Sequence, residues 1–309
     1  MRVVVAGATG VIGRQLVPLL GDAGHEVVAL SRKPGPARPG VRPVAVDALD
    51  RGALGAAVRD AKPDAVVHLL TAIPAQIDPR KVGRDFAVTN RLRTEATRTL
   101  MEAAYDAGAG RFIVQGLAYA YDPAGGPGAA DEDEPFWAKP PKPWAGTLDA
   151  LKTLERLTAD ADGLVLRFGH LYGPGTAFDR DGSTIGQIKA RKMPVVGDGS
   201  GMFSFTHTQD AALAVLAAIG RPEVRGALNI VDDEPAALGE WLPVVAELVG
   251  APGPQRVPVA MARLAAGAWG AAFMTRLRAA SNTRARTDLA WSPRYPSWRT
   301  GFAAELAAS

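Results

Sequence analysis

Residues 3–20, VVVAGATGVIGRQLVPLL, narrow the choice of fold more than any other stretch. They run from β-branched residues into an amphipathic helix pattern through Gly7, Gly10 and Gly13, in GxxGxxG spacing. Glycines at such a junction permit a tight turn, let backbone amides approach a pyrophosphate, and set that anion at the positive end of the helix. The loop residues Thr9, Val11 and Ile12 share that cradle. A strand, a glycine turn and a helix in this order predict a dinucleotide-binding α/β unit.

The pattern then repeats. Short apolar runs at 26–30, 42–46, 65–70, 111–116 and 163–168 alternate with helical periodicity, including one long helix predicted over roughly 80–107. Near-continuous apolar strands separated by helices imply a parallel sheet covered on both faces, the doubly wound arrangement. Between 122 and 146 the sequence turns to Pro, Gly and charge, bounded by aromatics, and reads as a loop or lid. Residues 1–169 are expected to form the nucleotide-binding domain. Residues 170–309, with helices near 184–191, 209–219, 238–249 and 260–271, are expected to form a smaller substrate-binding subdomain interleaved with the last strands.

Composition excludes several functions. Lys and Arg number 35 against 32 Asp and Glu, so the net charge of +3 offers no basic stripe for nucleic acid. Cysteine is absent, which removes disulfides, thiolate metal sites and thiol nucleophiles. No metal site is expected. The longest uncharged apolar stretch, at 264–274, falls well short of the roughly 20 residues of a membrane span. A soluble, cytoplasmic protein is expected, with a homodimer kept open as its assembly.

The end of the second strand selects between cofactors. An NAD site presents an acidic residue about 20 positions after the glycine loop to the adenosine ribose. Here the sequence supplies Ser31, Arg32 and Lys33, a hydroxyl and two cations suited to a ribose phosphate. NADP(H) is the cofactor expected.

At this level of detail the chain resembles the extended short-chain dehydrogenase/reductase family, the NAD-dependent epimerase/dehydratase group. The resemblance rests on GATGVIG (7–13), VDALD (46–50), HLLTA (68–72), TNRLRTEATRTLMEAA (89–104), LRFGHLYGPG (166–175), FTHTQDAALAV (205–215), NIVDDEP (229–235) and LAWSPRYPSWRTGF (289–302). It implies a Rossmann-type sheet with a C-terminal substrate-binding subdomain. By the same resemblance Asp47 and Ala48 meet adenine, while Leu69, Leu70, Thr71, Gln115, Phe168, Gly169, His170 and Leu171 flank the cofactor.

The departures from the family pattern concern catalysis. The family places a Ser or Thr after the fifth strand, and a Tyr and Lys on the following helix. By alignment on Glu155 and Arg156, those positions hold Leu117, Thr147 and Leu151. A threonine with no neighbouring cation is a poor proton donor near neutral pH, and Lys152, one residue away, faces about 100° round the helix. The proton donor is therefore open. His170 and Tyr121 are the substitutes considered, with packing as the default role for Tyr119 and Tyr121, and for His68 and His207 a structural one. The family's diphosphate-gripping Arg is also missing, since Phe203 and Ser204 stand there. Phe203, Met202 and the loop aromatics Phe136, Trp137 and Trp144 predict an apolar or aromatic substrate.

A ketone flanked by a phenol is already polarised, so positioning beside the nicotinamide would suffice for its reduction. The resemblance extends to triad-lacking ketoreductases that tailor aromatic polyketides. It implies an NADPH-dependent reductase of an aromatic ketone in secondary metabolism. Two alternatives stay open: a catalytically inactive NADP-binding sensor or scaffold, and an unusual epimerase or dehydratase.

Overall fold

Seven short strands form one parallel sheet in a computed structural model that describes residues 1–126 and 128–307. They are β1 (Arg2–Ala6), β2 (Glu26–Ser31), β3 (Val41–Ala45), β4 (Ala65–His68), β5 (Arg111–Leu117), β6 (Leu164–Phe168) and β7 (Gly226–Ile230). Their order across the sheet is β7-β6-β5-β4-β1-β2-β3. Alternate residues of one strand serve opposite faces. Val3 and Val5 pack with Leu16 and Leu20 of the helix Gly13–Asp22 and with the helix Thr208–Ile219. Val4 and Ala6 pack on the other side with the helices Arg51–Ala61 and Thr97–Asp106. Both faces are thus covered, which is why the strands read as unbroken apolar runs.

The winding reverses between β1 and β4, and a crevice opens there at the carboxyl ends of the strands. The long helix predicted over 80–107 is interrupted on the edge of this crevice. It comprises the helices Val82–Asp85 and Ala87–Arg91, a π turn at Leu92–Ala96, and the helix Thr97–Asp106. π turns concentrate at functional sites because the extra residue re-aims side chains.

The segment expected as a lid is fastened and partly helical. Its last residues open the helix Lys142–Asp160. Ala130 N donates to Ala279 O at 2.7 Å and Ser281 N to Ala130 O at 2.8 Å. Glu134 pairs with Arg278, and Asp133 pairs with Arg284 at 2.6 Å. Pro127 of that segment, and residues 308 and 309 of the C-terminal half, lie outside the described residues.

Beyond residue 170 the chain adds β7 to the sheet and builds a separate aromatic cluster around Tyr172, Phe203, Phe205, Trp241, Trp298 and Phe302. The helix Val259–Arg276 lies over the crevice with a break at Gly267, whose φ of 74° is left-handed. His207 accepts a hydrogen bond from Gln209 N at 3.2 Å and meets Glu305 at 3.1 Å. Nearby, Asp210 accepts from the backbone of Arg294 and Tyr295. These bonds tie the C-terminal strap to the start of the helix Thr208–Ile219.

Candidate active site

The glycine loop has the shape of an anion cradle. Gly7 has a φ of +94°, and a Cβ there would lie 2.8 Å from the carbonyl oxygen of Leu69. A Cβ on Gly13 would lie 2.3 Å from the carbonyl oxygen of Gly7, so the helix could not approach the strand as it does. The helix starts at Gly13 with no acidic side chain in its first turn. Its partial positive charge therefore meets no acidic side chain of its own first turn, which fits a pyrophosphate.

A cavity of about 930 Å³ runs from this loop along the crevice. Gly7, Thr9, Gly10, Val11 and Ile12 line its first part, with Ser31, Arg32, Asp47 and Ala48 beside them. Leu69, Leu70, Thr71, Gln115, His170 and Leu171 line the middle. Four residues expected at the cofactor do not line it. Gly13 is spent on the close approach to Gly7, and the Lys33 side chain is exposed. Phe168 is fully buried in the sheet core. Gly169 packs against Ser204, its amide donating to Thr206 Oγ1 at 2.9 Å.

The far end of the cavity is aromatic. Tyr119 stacks on His170 with ring centroids 4.3 Å apart, and Phe203 flanks the other side of that imidazole at 4.6 Å. Trp144 stacks on Trp269, and Phe273 and Met274 complete the wall. Of the substrate residues expected, Trp144 and Phe203 stand in this wall and three do not. The Phe136 ring lies under the Arg167 guanidinium at 4.8 Å, and Trp137 is buried beneath Arg276 at 5.4 Å. Met202 is held in a two-residue strand pairing with Ala237. Those aromatics are claimed by arginines, an attraction between cation and ring face, and so do not close over a substrate. Trp269 and Phe273, which replace them, come from a helix far along the chain.

The three positions read from the resemblance as catalytic do not reach the cavity. Leu117, Thr147 and Leu151 are buried, and none lines the cavity. Leu117 and Leu151 join Phe86, Trp137, Leu148 and Trp269 in one apolar seam, while Thr147 accepts a hydrogen bond from Asn90 Nδ2 at 3.3 Å. Lys152 is exposed on the opposite side of its helix.

The two substitutes considered are placed differently from each other. Tyr121 lies outside the cavity, donating to Asn229 at 2.6 Å and accepting from Arg167 at 2.8 Å. Burial pushes its phenol up to about 12. His170 does line the cavity, but burial holds its pKa down to about 4, so it is neutral near pH 7. Its Nδ1 lies 3.2 Å from Ser204 O, so a proton carried there would leave Nε2, which has no partner, as an acceptor rather than a donor. His68 is also buried and neutral, its pKa lowered to about 4 by burial; it bonds to Thr97 and accepts from Leu70 N.

Sequence reasoning missed two residues here. Tyr119, read as packing, lines the cavity. Arg93, on the π turn, is 3% exposed, and no partner reaches its Nη1. A charged residue inside a helix pattern gives no sign that it turns inward. Among the described residues, no group of three or more possible ligands gathers as a metal site, and no helix is long and apolar enough to cross a membrane.

Comparison with known proteins follows the same line. Residues 3–231 match the model of the NAD dependent epimerase/dehydratase family. A 3-diazoavenalumate denitrifying reductase from a Streptomyces species is 48% identical over 309 residues, covering 99% of this chain and all of the relative. Among solved structures, MoeE5 in complex with UDP-glucuronic acid and NAD has a TM-score of 0.75 at 27% identity, over 99% of this chain and 98% of that one. Human epimerase family protein SDR39U1, solved with NADPH, has a TM-score of 0.72 over 99% of this chain and 99% of that one; at 21% identity the likeness is one of fold.

Proposed function

Because this chain belongs to the NAD-dependent epimerase/dehydratase family, we propose that it is a nicotinamide-dependent reductase whose aromatic, phenol-flanked substrate supplies its own activation. One observation carries the reading. The positions of the family's acid, base and hydroxyl are closed into the apolar wall, while the cavity beside them stays open and aromatic. A sugar alcohol at such a site would find no group at those positions to take or give its proton.

The Streptomyces relative is named for a diazo carboxylate from which nitrogen is removed, and that chemistry suits this cavity. Bound nicotinamide supplies a hydride. An aromatic diazonium carbon that accepts it forms a C–H bond, and N2 leaves with the C–N electron pair; the reacting bond consumes no proton. A ketone hydrogen-bonded to a neighbouring phenol is also activated in advance. The residues then bind and orient. Trp144, Trp269, Phe203 and Phe273 exclude water and hold a flat ring, and Gly7 to Ile12 with Asp47 and Ala48 hold the dinucleotide. Arg32 and Ser31, with no carboxylate at the end of β2, support NADP(H) over NAD(H).

The test offers purified protein, with NADPH or NADH, a panel of ortho-hydroxyaryl ketones and ortho-hydroxybenzenediazonium salts. Oxidation of NADPH with release of N2 or formation of an alcohol supports the reading, and the product assigns the electrophile. Tight NADPH binding with no turnover across the panel would instead favour a binding protein without catalysis.

A further inference from the structure

We propose that Tyr119 is the residue that hydrogen-bonds, and then protonates, the substrate oxygen left negative by reduction, with Arg93 as the buried cation that positions and supports it. The inference rests on the reductase reading above. It assigns a proton donor to a site whose usual donor positions are apolar.

The geometry isolates this pair. Tyr119 lines the aromatic end of the cavity, two residues past β5, and its ring is fixed by stacking on His170 at 4.3 Å. Its hydroxyl makes no hydrogen bond to protein among the described residues. Arg93 points inward from the π turn that borders the same crevice. It is 3% exposed, its Nη1 is unpartnered, and no carboxylate pairs with it among the described residues. An unpaired buried guanidinium is costly. Tyr119 is the acidic side chain whose charge reaches it, and the effect is mutual. Burial raises the Tyr119 phenol, so it is protonated near neutral pH, and the Arg93 charge acts in the opposite direction, favouring its anion.

The same arrangement serves both electrophiles. A phenol-flanked ketone that accepts hydride becomes an alkoxide. A diazonium with an ionised ortho oxygen accepts hydride, loses N2 with the C–N electron pair, and becomes a phenolate. In each case the oxygen takes the Tyr119 proton, the Tyr119 phenolate is held by Arg93, and solvent returns the proton after release. The carbon gains the hydride pair and the nicotinamide loses it, so electrons and charge balance.

The test separates binding from turnover. Ortho-nitrophenol, whose ionised form absorbs visibly, is titrated into the NADPH complex at a pH where the free phenol is ionised. Native protein is expected to bind the phenolate with a shifted absorbance. Tyr119→Phe, which keeps the ring stack, should weaken that binding by about 10- to 100-fold, the worth of a hydrogen bond to a charged group. Arg93→Met should weaken it similarly, and Arg93→Lys should restore part of it. If native protein reduces no substrate yet binds nitrophenolate in this Tyr119-dependent way, the reductase reading fails while Tyr119 stands as the group that binds an oxyanion in this cavity. Absence of nitrophenolate binding by native protein, or equal affinity in native protein and Tyr119→Phe, would overturn the assignment. So would unchanged kcat in Tyr119→Phe on a substrate the native protein reduces.

Discussion

Trp144 and Trp269 stack nearly face to face, their ring centroids 4.1 Å apart and their planes 10° from parallel. One belongs to the helix Lys142–Asp160, the other to the helix Val259–Arg276, and the stack joins the sheet to the element that roofs the cavity. Trp144→Ala removes a buried aromatic from both core and cavity wall. It should cost roughly 3–5 kcal/mol of stability. Urea unfolding followed by far-UV circular dichroism measures it, and a loss below 1 kcal/mol would show that the roof packs independently of this stack.

Gly13→Ala tests the cradle. Its new methyl would meet backbone atoms of Gly7 and Ala8, at 2.3 and 2.7 Å, none of which can swing aside as a side chain could. NADPH affinity should fall by at least about 10-fold, since the loop must open to admit a carbon atom. Fluorescence titration reads this directly.

Arg32→Ala should separate the cofactors. A guanidinium on a ribose phosphate is a charge-assisted contact, worth about 10- to 100-fold in affinity. Affinity for NADPH should drop by that factor and affinity for NADH should stay the same. Equal losses for the two would place Arg32 away from the phosphate.

Arg167 is buried and forks onto Glu155, with contacts of 2.8 and 2.7 Å, while also donating to Tyr121 and to Glu132 O. Arg167→Met leaves a half-buried carboxylate without its partner. Breaking a buried pair in this way costs roughly 3–5 kcal/mol. Because none of these groups lines the cavity, NADPH affinity in the folded variant should be unchanged. A variant as stable as the native protein in urea would refute the structural role.

Stability should decline as pH falls from about 6.5 to 4. Burial lowers the pKa of His68 and His170 to about 4 in the folded protein, against an ordinary value of 6.5. Between those values the unfolded chain binds protons that the folded chain refuses, so acidification favours unfolding. Each histidine contributes up to about 3 kcal/mol to that decline. Urea midpoints measured across this range should fall, and His68→Gln should flatten the slope.

Much of this was legible locally. The alternation of apolar runs with helical periodicity specifies the sheet because each strand is buried on both faces whatever its neighbours. The glycine spacing specifies the cradle because only backbone atoms meet there. Leu117 and Leu151 offer no proton in any fold, which is legible from residue type alone. The aromatics of the 122–146 segment were misleading: Phe136 and Trp137 are taken up by Arg167 and Arg276, partners 31 and 139 positions away in sequence.

The sequence by itself determined the doubly wound sheet and the dinucleotide cradle, since these depend on residue type and short-range spacing. Tertiary structure alone decided which side chains line the cavity. The Trp269 and Phe273 wall, the neutral state of His170, and the burial of Arg93 beneath the crevice edge arise from burial and from contacts between distant segments. Burial sets the energy of a charge, and the approach of segments remote in sequence is fixed only when the whole core packs.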